Sequence, residues 1–454
     1  MLREDPPGVT RRQKRVLILV ENLPVPFDRR VWLEATTLQQ HGYAVSVICP
    51  TGDRYPAGHE CLDGVHIYRY TLPETGIGFL AYVREYAMAM VKTLWLSLKV
   101  TARHGFDVIH ACNPPDLFFL IAWLYKPFGK KFVFDQHDLS PETYRVQRRG
   151  REGLVYRVLL LLERLTYATA DMVIATNESI RGFAHRRGRV PRQRTFVVRT
   201  GPDFQRMRIV PADSALKRGA AYLVCYLGVM GPQDGVDYAL RAAAWIIHQR
   251  RRRDVKFTFI GSGDMLPQLK DLAAGLGVNG EVCFTGRVSD EDLVTYLSTA
   301  DLCISPDPLN GLNEYHTMNK TLEYMAIGKP QVAFDLAEMR ISAGDAAVYA
   351  RPNSVEDFGQ KILELLDDSV RRDQMSREAR RRIEEELGWQ HTHRCLLDAY
   401  QWLFDRGSSA SVQEPARAIV RPSVHQPGRA RRTDGDDRTT ARTVDPGRQD
   451  SPRG

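Results

Sequence analysis

The chain has 454 residues, 43% of them hydrophobic and 26% charged, with a formal net charge of +8. This length suits two domains with ordinary cores plus extra segments, and no uncharged run reaches the roughly 18 residues of a transmembrane helix. The polar N-terminus lacks a signal-peptide pattern. We therefore expect a cytoplasmic protein, either free or at the inner face of the cell membrane.

Half of the excess positive charge lies in the tail from Arg406, which holds ten Arg, six acidic residues and no aromatic residue. Its many Gly, Pro, Ser and Thr residues predict disorder over 406–454. Because aromatic side chains do not interleave the arginines, we expect no nucleic-acid partner. The cysteines show no metal-ligand spacing and are expected to be small buried residues without disulfides: Cys49, Cys61, Cys112, Cys225, Cys283, Cys303 and Cys395.

The first half of the chain alternates short apolar runs with helical patterns, which predicts parallel βαβ units. The first strand, Val16–Val20, is followed by a helix that Asp28 caps and Gly42 ends. The loop between them has no GxGxxG fingerprint of a dinucleotide site. Further strands are predicted at Ala44–Cys49, Val65–Tyr70, Phe106–His110, Lys131–Phe134, Asp171–Ala175 and Thr195–Val198.

Two helices of this half are strongly apolar and also basic. The first is predicted from Phe79 to His104, and the second from Gly153 to Tyr167. Such helices either pack on a sheet as ordinary amphipathic helices or lie on an anionic membrane surface. The sequence leaves both interpretations open, and peripheral contact with an anionic membrane is one of them.

Two histidines, His110 and His137, stand at or near the carboxyl ends of successive predicted strands. A histidine at such an edge can act in acid/base chemistry or bind a phosphate or hydroxyl group, although each can also be a hydrogen-bonded structural residue. The segment Asp135–Asp138, DQHD, contains metal-ligand residue types. No third cluster completes a site, so we expect no metal.

Residues 201–219 show no apolar periodicity and are predicted to link two halves. The second half repeats the alternation of strands and helices up to about Ser354, after which helical patterns dominate. The fold class predicted is α/β, with two doubly wound Rossmann-like domains facing a cleft. Strands of the second half are predicted at Ala221–Leu227, Val255–Ile260, Glu281–Phe284, Asp301–Ile304 and Gln331–Phe334.

Residues 305–335 combine a strand, a polar loop, a helix and a second strand. A loop at the carboxyl end of a strand is where α/β proteins bind ligands, and the following helix N-terminus attracts anions. The helix, from about Thr317 to Ile327, carries Lys320 and Glu323 three residues apart on one face. This pair is either a solvated ion pair or part of a site in the cleft.

The segment LEYMAIGKPQVAFD, with an acidic residue near the loop before it, resembles the donor-site motif of retaining glycosyltransferases of the GT-B fold, family 4. The resemblance covers about residues 15–405 and points to a divergent bacterial branch. It implies that Glu323 binds the ribose of a nucleotide-sugar. It also implies that backbone amides of Thr317, Met318 and Asn319 hold the diphosphate and the sugar.

The chain departs from the family pattern at several donor-site positions. The first motif glutamate is replaced by Tyr315, so the carboxylate next to it, Glu314, is the candidate for that role. The loop after the first strand of the second half has Val229 and Asp234 where the family has an Arg and a Lys that grip the diphosphate. The resemblance therefore implies that Lys320 supplies positive charge near the diphosphate.

Other roles follow from the same resemblance. Gly231 allows close backbone approach in the donor loop, and Arg287 contributes near the nucleotide base. The segment DQHDLSPETY, which contains His137, resembles the acceptor-side loop. Cys112 stands where some members have a histidine by the reacting carbon, so His110 and His137 are the catalytic candidates of this domain.

The resemblance implies a metal-independent, hexosyltransferase-type enzyme that moves a sugar from a nucleotide-diphosphate donor, UDP-linked, to a saccharide or lipid-linked acceptor in cell-surface glycan or exopolysaccharide synthesis. The nucleotide-sugar is the co-substrate, and no other cofactor is expected. A nucleotide-sugar 2-epimerase of the same fold and a non-catalytic binding protein are the alternatives. The expected segments are an N-terminal extension 1–14, an acceptor-side domain 15–200, a linker 201–219, a nucleotide-sugar domain 220–388, a helix 389–405 that crosses back, and the tail 406–454.

Overall fold

The computed structural model describes residues 12–52, 54–72, 79–148 and 150–405. The predicted tail and most of the predicted N-terminal extension lie outside the described residues. The described chain forms two α/β lobes, each built around one sheet.

The first lobe has an eight-stranded sheet in the order β3-β4-β2-β1-β5-β6-β7-β8. All neighbouring strands are parallel except β3 and β4. Its elements are β1 (Arg15–Leu19), α1 (Arg29–Gln40), β2 (Ala44–Pro50), β3 (Gly58–Leu62), β4 (Val65–Tyr70), α2 (Phe79–Arg103), β5 (Val108–Cys112), α3 (Phe119–Tyr125), β6 (Lys131–Gln136), α4 (Ser140–Gln147), α5 (Leu154–Thr169), β7 (Met172–Ala175), α6 (Glu178–Arg186) and β8 (Thr195–Val197).

The second lobe has a six-stranded parallel sheet in the order β11-β10-β9-β12-β13-β14. Its elements are β9 (Tyr222–Leu227), α7 (Val236–Ala244), β10 (Val255–Ile260), α8 (Leu266–Gly275), β11 (Val282–Gly286), α9 (Asp290–Thr299), β12 (Leu302–Ser305), α10 (Asn319–Ala326), β13 (Gln331–Phe334), α11 (Ala337–Ala343), β14 (Ala347–Ala350), α12 (Val355–Asp367), α13 (Ser369–Arg382) and α14 (Trp389–Asp405).

The two sheets, parallel apart from the β3–β4 pair, confirm the predicted α/β class with two Rossmann-like lobes. The strand order reverses between β1 and β5 in the first sheet and between β9 and β12 in the second. Such a reversal leaves a crevice at the carboxyl ends of the strands. Helix α14 lies on the first lobe, although it follows the second lobe in the chain. Its Leu396, Tyr400 and Leu403 are buried in the same apolar cluster as Val16 and Val47.

The structure bears on two expectations from the sequence, one about membrane-spanning helices and one about the burial of the cysteines. Among the described residues, none of the helices has the length and hydropathy to cross a bilayer. All seven cysteines are free, and Cys61 and Cys395 are exposed rather than buried. Burial is therefore the wrong interpretation for these two thiols.

Candidate active site

Glycines bring three loops of the second lobe into backbone contact at the carboxyl edge of its sheet. A Cβ atom on Gly235, which precedes α7, would lie 2.0 Å from the carbonyl oxygen of Pro306. A Cβ on Gly261 would lie 2.0 Å from the carbonyl oxygen of Gly228. Both glycines have positive φ, +68° and +127°, so a side chain would be strained as well as obstructed. The loops after β9, β10 and β12 therefore converge at one point.

Lys320 lies in the first turn of α10, next to the loop after β9. Its ammonium Nζ is 2.7 Å from Oδ1 of Asp307 and 4.9 Å from the ring centre of Tyr226. Burial lowers the pKa of Lys320, but Asp307, Tyr226 and Asp234 outweigh it and raise the pKa overall. The lysine is therefore charged, and its charge is shared with a buried carboxylate rather than directed freely into the cleft.

Glu323 lies one turn further along α10 and faces a cavity of about 120 Å³. The cavity lies between α1 of the first lobe, the start of the segment that links the lobes, and α10. The guanidinium of Arg206, from that linking segment, contacts the Glu323 carboxylate. Small-molecule sites usually exceed about 300 Å³, so the cleft at Glu323 is narrow, and Arg206 occupies the carboxylate that was predicted to bind ribose.

The three residues before Lys320 have different surroundings. Asn319 is exposed and lines the same cavity as Glu323. Met318 packs against the core of the second lobe. The Thr317 hydroxyl donates to Oε1 of Glu338 at 3.2 Å and accepts from Nδ2 of Asn177 at 3.1 Å. Asn319 is thus the member of this group at the cleft surface, and Thr317 joins the two lobes.

The remaining predicted donor residues lie around the loops after β9, β11 and β12. The backbone N–H of Gly231 donates to Oδ2 of Asp234 at 2.9 Å, within one turn of the loop after β9. Arg287 is exposed and lies 5.6 Å from the ring centre of Phe27 in the first lobe. Glu314 is half-buried in a short 3-10 helix, Asn313–Tyr315. Their assigned roles stay predictions.

His110 does not reach the cleft, which contradicts its assignment as a catalytic residue. It is 0% exposed, and its Nδ1 is hydrogen-bonded to the Tyr400 hydroxyl at 2.7 Å. Its Nε2 faces carboxylate oxygens of Glu34 at 3.4 Å and Asp135 at 3.5 Å. Because burial lowers the pKa of His110, the ring is a neutral structural group. It holds α14 against the sheet.

His137 lies next to the buried cluster that Arg30, Glu34, His110 and Asp135 form. Its side chain is 15% exposed. Its Nε2 lies 2.5 Å from Oδ2 of Asp135 and 3.0 Å from Nε of Arg30. The backbone N–H of His137 donates to Oδ1 of Asn113 at 2.7 Å. The ring is thus held by a buried carboxylate and remains accessible at the first-lobe wall.

The charges of the buried cluster are balanced internally. Burial would raise the pKa of Asp135, but Arg30 and His137 outweigh it and hold that pKa well below its usual range. Burial raises the pKa of Glu34 well above its usual value despite Arg30. The two carboxyl groups in turn raise the pKa of Arg30 despite its burial, so Arg30 is charged, and it is bonded to Asp135 through Nη2 at 2.8 Å.

Two protein-family models match the chain over most of residues 28–368. The model described as "Glycosyltransferase Family 4" matches residues 28–206, in the first lobe and the start of the linking segment. The model described as "Glycosyl transferases group 1" matches residues 221–368, in the second lobe. The chain is a family 4 glycosyltransferase.

Curated relatives of this glycosyltransferase share 24–29% of their residues with it. The alpha-D-kanosaminyltransferase of Streptomyces kanamyceticus is 29% identical over 35% of this chain and 39% of its own. An uncharacterized glycosyltransferase of Methanocaldococcus jannaschii is 24% identical over 81% and 92%. The D-inositol 3-phosphate glycosyltransferase of Nocardia farcinica is 29% identical over 55% and 57%. The chain thus spans less than two thirds of the first and third of these relatives.

Solved structures share the GT-B fold with this glycosyltransferase. Sucrose-phosphate synthase from Thermosynechococcus elongatus has a TM-score of 0.71 at 17% identity and covers 87% of this chain and 100% of its own. Anabaena HepE, in complex with UDP and glucose, has a TM-score of 0.64 at 15% identity, with 86% and 100% covered. At these identities the likeness establishes the fold alone.

A metal in the buried cluster of the glycosyltransferase would compete with an arginine. Ligand atoms of Glu34, His110, Cys112 and Asp135 all lie within 4.8 Å of one another. The Arg30 guanidinium already lies among them, with Nη2 3.0 Å from Oε1 of Glu34. A divalent cation there would meet this fixed positive charge at close range. The cluster is better described as a buried ion pair with its hydrogen-bonded neighbours.

Several residues that shape the site were missed by sequence reasoning. Asp307 and Arg206, the partners of Lys320 and Glu323, belong to segments 13 and 117 residues away. Glu338 is fully buried at the lobe boundary and accepts from Arg199 Nη1 at 3.1 Å. The signal available in the sequence was the position of Asp307 in a polar loop after a strand. No comparable sequence pattern marks Arg206, Glu338 or Arg199.

Proposed function

We propose that this glycosyltransferase moves a sugar from a UDP-linked donor to a hydroxyl group of a saccharide acceptor, with retention of the anomeric configuration. The observation that carries the proposal is the convergence of the glycine loops, Lys320 and the first turn of α10 at the carboxyl edge of the second sheet. Ligands bind at this edge in doubly wound folds. The complex of the structural neighbour HepE with UDP and glucose supports the choice of a uridine nucleotide.

In the proposed reaction, the bond between the anomeric carbon and the distal phosphate oxygen breaks. The acceptor oxygen forms the new bond to the same carbon, and its proton passes to the departing diphosphate oxygen. Negative charge then accumulates on the leaving diphosphate, and preorganised donors at that position contribute most to the rate. The backbone N–H groups at the start of α10 and the charge of Lys320 are the assigned donors. His137 and Glu314 are the assigned contacts of the reacting sugar.

Calorimetric titration with UDP and with uridine tests the assignment of the donor site. We expect Glu323→Ala to weaken binding of both ligands, because the ribose is common to them. We expect Lys320→Ala to weaken UDP but not uridine, because the lysine acts on the diphosphate. Each loss should be about 1–3 kcal/mol, the scale of a hydrogen bond to a charged group.

The matched control is the half-buried pair Lys361–Glu364 on α12, away from the cleft, which has the same three-residue spacing and an Nζ–Oε2 distance of 2.8 Å. Alanine at either control position should leave UDP binding unchanged. If the folded wild-type protein binds no nucleoside diphosphate, the non-catalytic alternative replaces the transferase proposal. If a donor sugar is converted without an acceptor, the 2-epimerase alternative replaces it.

We further propose that the acceptor is lipid-linked and that the outer face of helices α2, α3 and α5 lies on an anionic membrane. Trp123 Nε1 on α3 donates to Thr169 of α5, and Ser97 of α2 is hydrogen-bonded to Tyr125 of α3, so the three helices form one layer. The solvent side of this layer is unusually apolar. Its exposed large side chains are Val83, Val91, Trp95, Leu98, Leu120, Trp123, Leu124, Phe128, Leu154, Val158 and Leu161.

The positive charge around this face favours contact with an anionic lipid surface over contact with a second copy of the chain. Basic residues flank the apolar stripe of α2 at Arg84, Lys92, Lys99 and Arg103, whereas Glu85 is the one acidic residue of that helix. Two such basic faces would repel each other, whereas anionic headgroups would attract them. Aromatic side chains such as Trp95 bind at the interface between headgroups and acyl chains.

Vesicle flotation tests this membrane surface. Wild-type protein should float with vesicles of phosphatidylglycerol and phosphatidylcholine, and less with phosphatidylcholine alone. The double variant Trp95→Ser/Trp123→Ser should lose most of the binding. Val370→Ser, which removes a side chain that is 65% exposed on the second lobe, is the control and should float as wild type does. A concentration-dependent dimer in sedimentation, without flotation, would replace the membrane with a second copy.

A further inference from the structure

Three histidines cluster at the β3 edge of the first sheet, outside the candidate active site. They are His59 on β3, His66 on β4 and His104, which follows α2 directly. One ring nitrogen from each lies within 4.8 Å of the other two. Nε2 of His59 and Nδ1 of His66 are 3.2 Å apart. Two nitrogens about 2.0–2.1 Å from one tetrahedral Zn²⁺ ion would be separated by a similar distance.

The hairpin of β3 and β4 adds a thiol to the same face. The strands are joined by Asp63–Gly64, whose φ angles of 47° and 79° suit a tight two-residue turn. This turn pairs Cys61 directly with His66, and His59 with Tyr68. Directly opposed residues of antiparallel strands project to the same side, with Cβ atoms about 4.5–5.5 Å apart. Cys61 is free and exposed, so its thiol can rotate toward the histidines.

The third histidine is held in place by the same hairpin. The Tyr68 hydroxyl is hydrogen-bonded to Nε2 of His104 at 2.8 Å. The rings of His66 and His104 lie 4.1 Å apart, and the ring of His59 stacks on Tyr68 at 4.5 Å. Outer partners of this kind orient the imidazoles that ligate metals. The cluster therefore joins three segments of the chain: β3, β4 and the residue after α2.

We propose that His59, His66, His104 and the thiolate of Cys61 bind one Zn²⁺ ion, with tetrahedral coordination. Imidazole nitrogen and thiolate sulfur are the ligands that this ion prefers. On binding, the thiol gives up its proton to solvent as the Zn–S bond forms. The bound ion would tie the hairpin to the end of α2. This site is independent of the sugar-transfer chemistry.

The surrounding charges act on this site in opposite directions. Lys99 and Arg103 lie near enough to disfavour a further positive charge. The thiolate of Cys61 supplies a negative charge that partly offsets the two cationic side chains. A set of three imidazoles alone would lack that compensation.

Titration of tag-free, full-length protein with Co²⁺, a spectroscopic substitute for Zn²⁺, tests the site. We expect one ion per chain, with the visible absorption of a tetrahedral complex and a near-ultraviolet thiolate-to-metal band. Cys61→Ser should remove the thiolate band. His104→Ala should lower the affinity at least about tenfold, since it removes a direct ligand. Excess Zn²⁺ should displace the cobalt spectrum.

The matched controls are Cys395→Ser, the other exposed cysteine, and His248→Ala in the second lobe. Both should bind Co²⁺ as wild type does, and circular dichroism should show that every variant is folded. The proposal is overturned if wild-type protein gives no tetrahedral spectrum, or if His59→Ala and His104→Ala leave the spectrum and affinity unchanged. A thiolate band that survives Cys61→Ser overturns the assignment of the fourth ligand.

Discussion

Glu21 follows β1 at the carboxyl edge of the first sheet and is 5% exposed. Burial, with the like charge of Glu85, raises the pKa of Glu21 from 4.5 to about 7. A carboxyl group with a raised pKa in the folded state stabilises the fold fully below pH 4.5, its unfolded value, and this contribution is lost as the pH rises through about 7. The stability of the first lobe should therefore fall over this range.

Glu21→Gln keeps the side chain neutral at every pH. The free energy of unfolding of the wild type, relative to this variant, should therefore fall by about 3 kcal/mol between pH 4.5 and pH 8. Denaturant unfolding of both proteins at the two pH values measures this difference. Glu291→Gln, at an exposed position, should show no comparable change. If the profiles of the wild type and Glu21→Gln are parallel, Glu21 does not titrate in this range.

The sequence located residues of the site, but it did not locate their partners. Lys320 and Glu323 were found because one short helix follows a strand and a polar loop. Asp307 and Arg206 could not be assigned to them, because contacts between separate segments depend on loop conformations that no local pattern encodes. His110 was misassigned for a related reason. It was predicted to end a strand, but β5 continues to Cys112. His110 therefore lies in mid-strand, and Tyr400 of α14, 290 residues later, covers it.

At the scale of elements, the position of α7 against the loop after β12 depends on Gly235, the residue before the helix. Gly235 has a φ of +68°, and a Cβ there would lie 2.0 Å from the Pro306 carbonyl oxygen. Gly235→Ala should therefore destabilise the second lobe by more than the roughly 1–2 kcal/mol of a left-handed alanine, because the loop after β12 must also move. The same movement should weaken UDP binding. Thermal unfolding and calorimetry measure the two effects.

Gly275, the last residue of α8, provides the matched control for this substitution. A Cβ there meets nothing within 4 Å, and alanine favours the helix by about 1 kcal/mol over glycine. Gly275→Ala should be neutral or slightly stabilising. If Gly235→Ala behaves in the same way, the close approach of the two loops is not required for folding.

Parallel strands were the elements that the sequence predicted best. Buried strands such as Val16–Val20 are short apolar runs between turn residues, and this pattern is local. Strand β3, Gly58–Leu62, was missed because four of its five residues are exposed and its sequence, GHECL, has no apolar alternation. The zinc site proposed on this hairpin was missed with it. His104 lies far along the chain, and spacing alone did not connect it to Cys61.

At the scale of the whole molecule, polar contacts hold the two lobes together across the cleft. Arg29 Nη2 lies 2.7 Å from Oδ2 of Asp290, and Glu338 accepts from both Ser179 and Arg199. The proposed nucleotide-sugar donor is larger than the cavity of about 120 Å³ at Glu323. We therefore expect donor binding to open the cleft and to break some of these contacts, so that conditions that weaken them favour the open form.

We expect a further contact between the lobes, His316 with Asp138, to make this opening dependent on pH. His316 of the second lobe has its Nε2 3.4 Å from Oδ1 of Asp138 in the first. Burial lowers the pKa of His316, but Asp138, the Leu312 carbonyl and Glu142 outweigh it and raise the pKa above 6.5. The charged histidine therefore stabilises the closed form below pH 6.5, and this contribution is lost as the pH rises through the raised value.

Small-angle scattering should accordingly give a larger radius of gyration at pH 9 than at pH 6, because the neutral ring no longer attracts Asp138. His316→Gln should have the larger value at both pH values, since its amide carries no charge. Glu21 and other buried groups also titrate in this range, so the variant isolates the part that belongs to His316. A change of equal size in the variant would show that another group controls the opening. If neither protein changes, the remaining contacts, led by Glu338 with Arg199, hold the lobes closed without it.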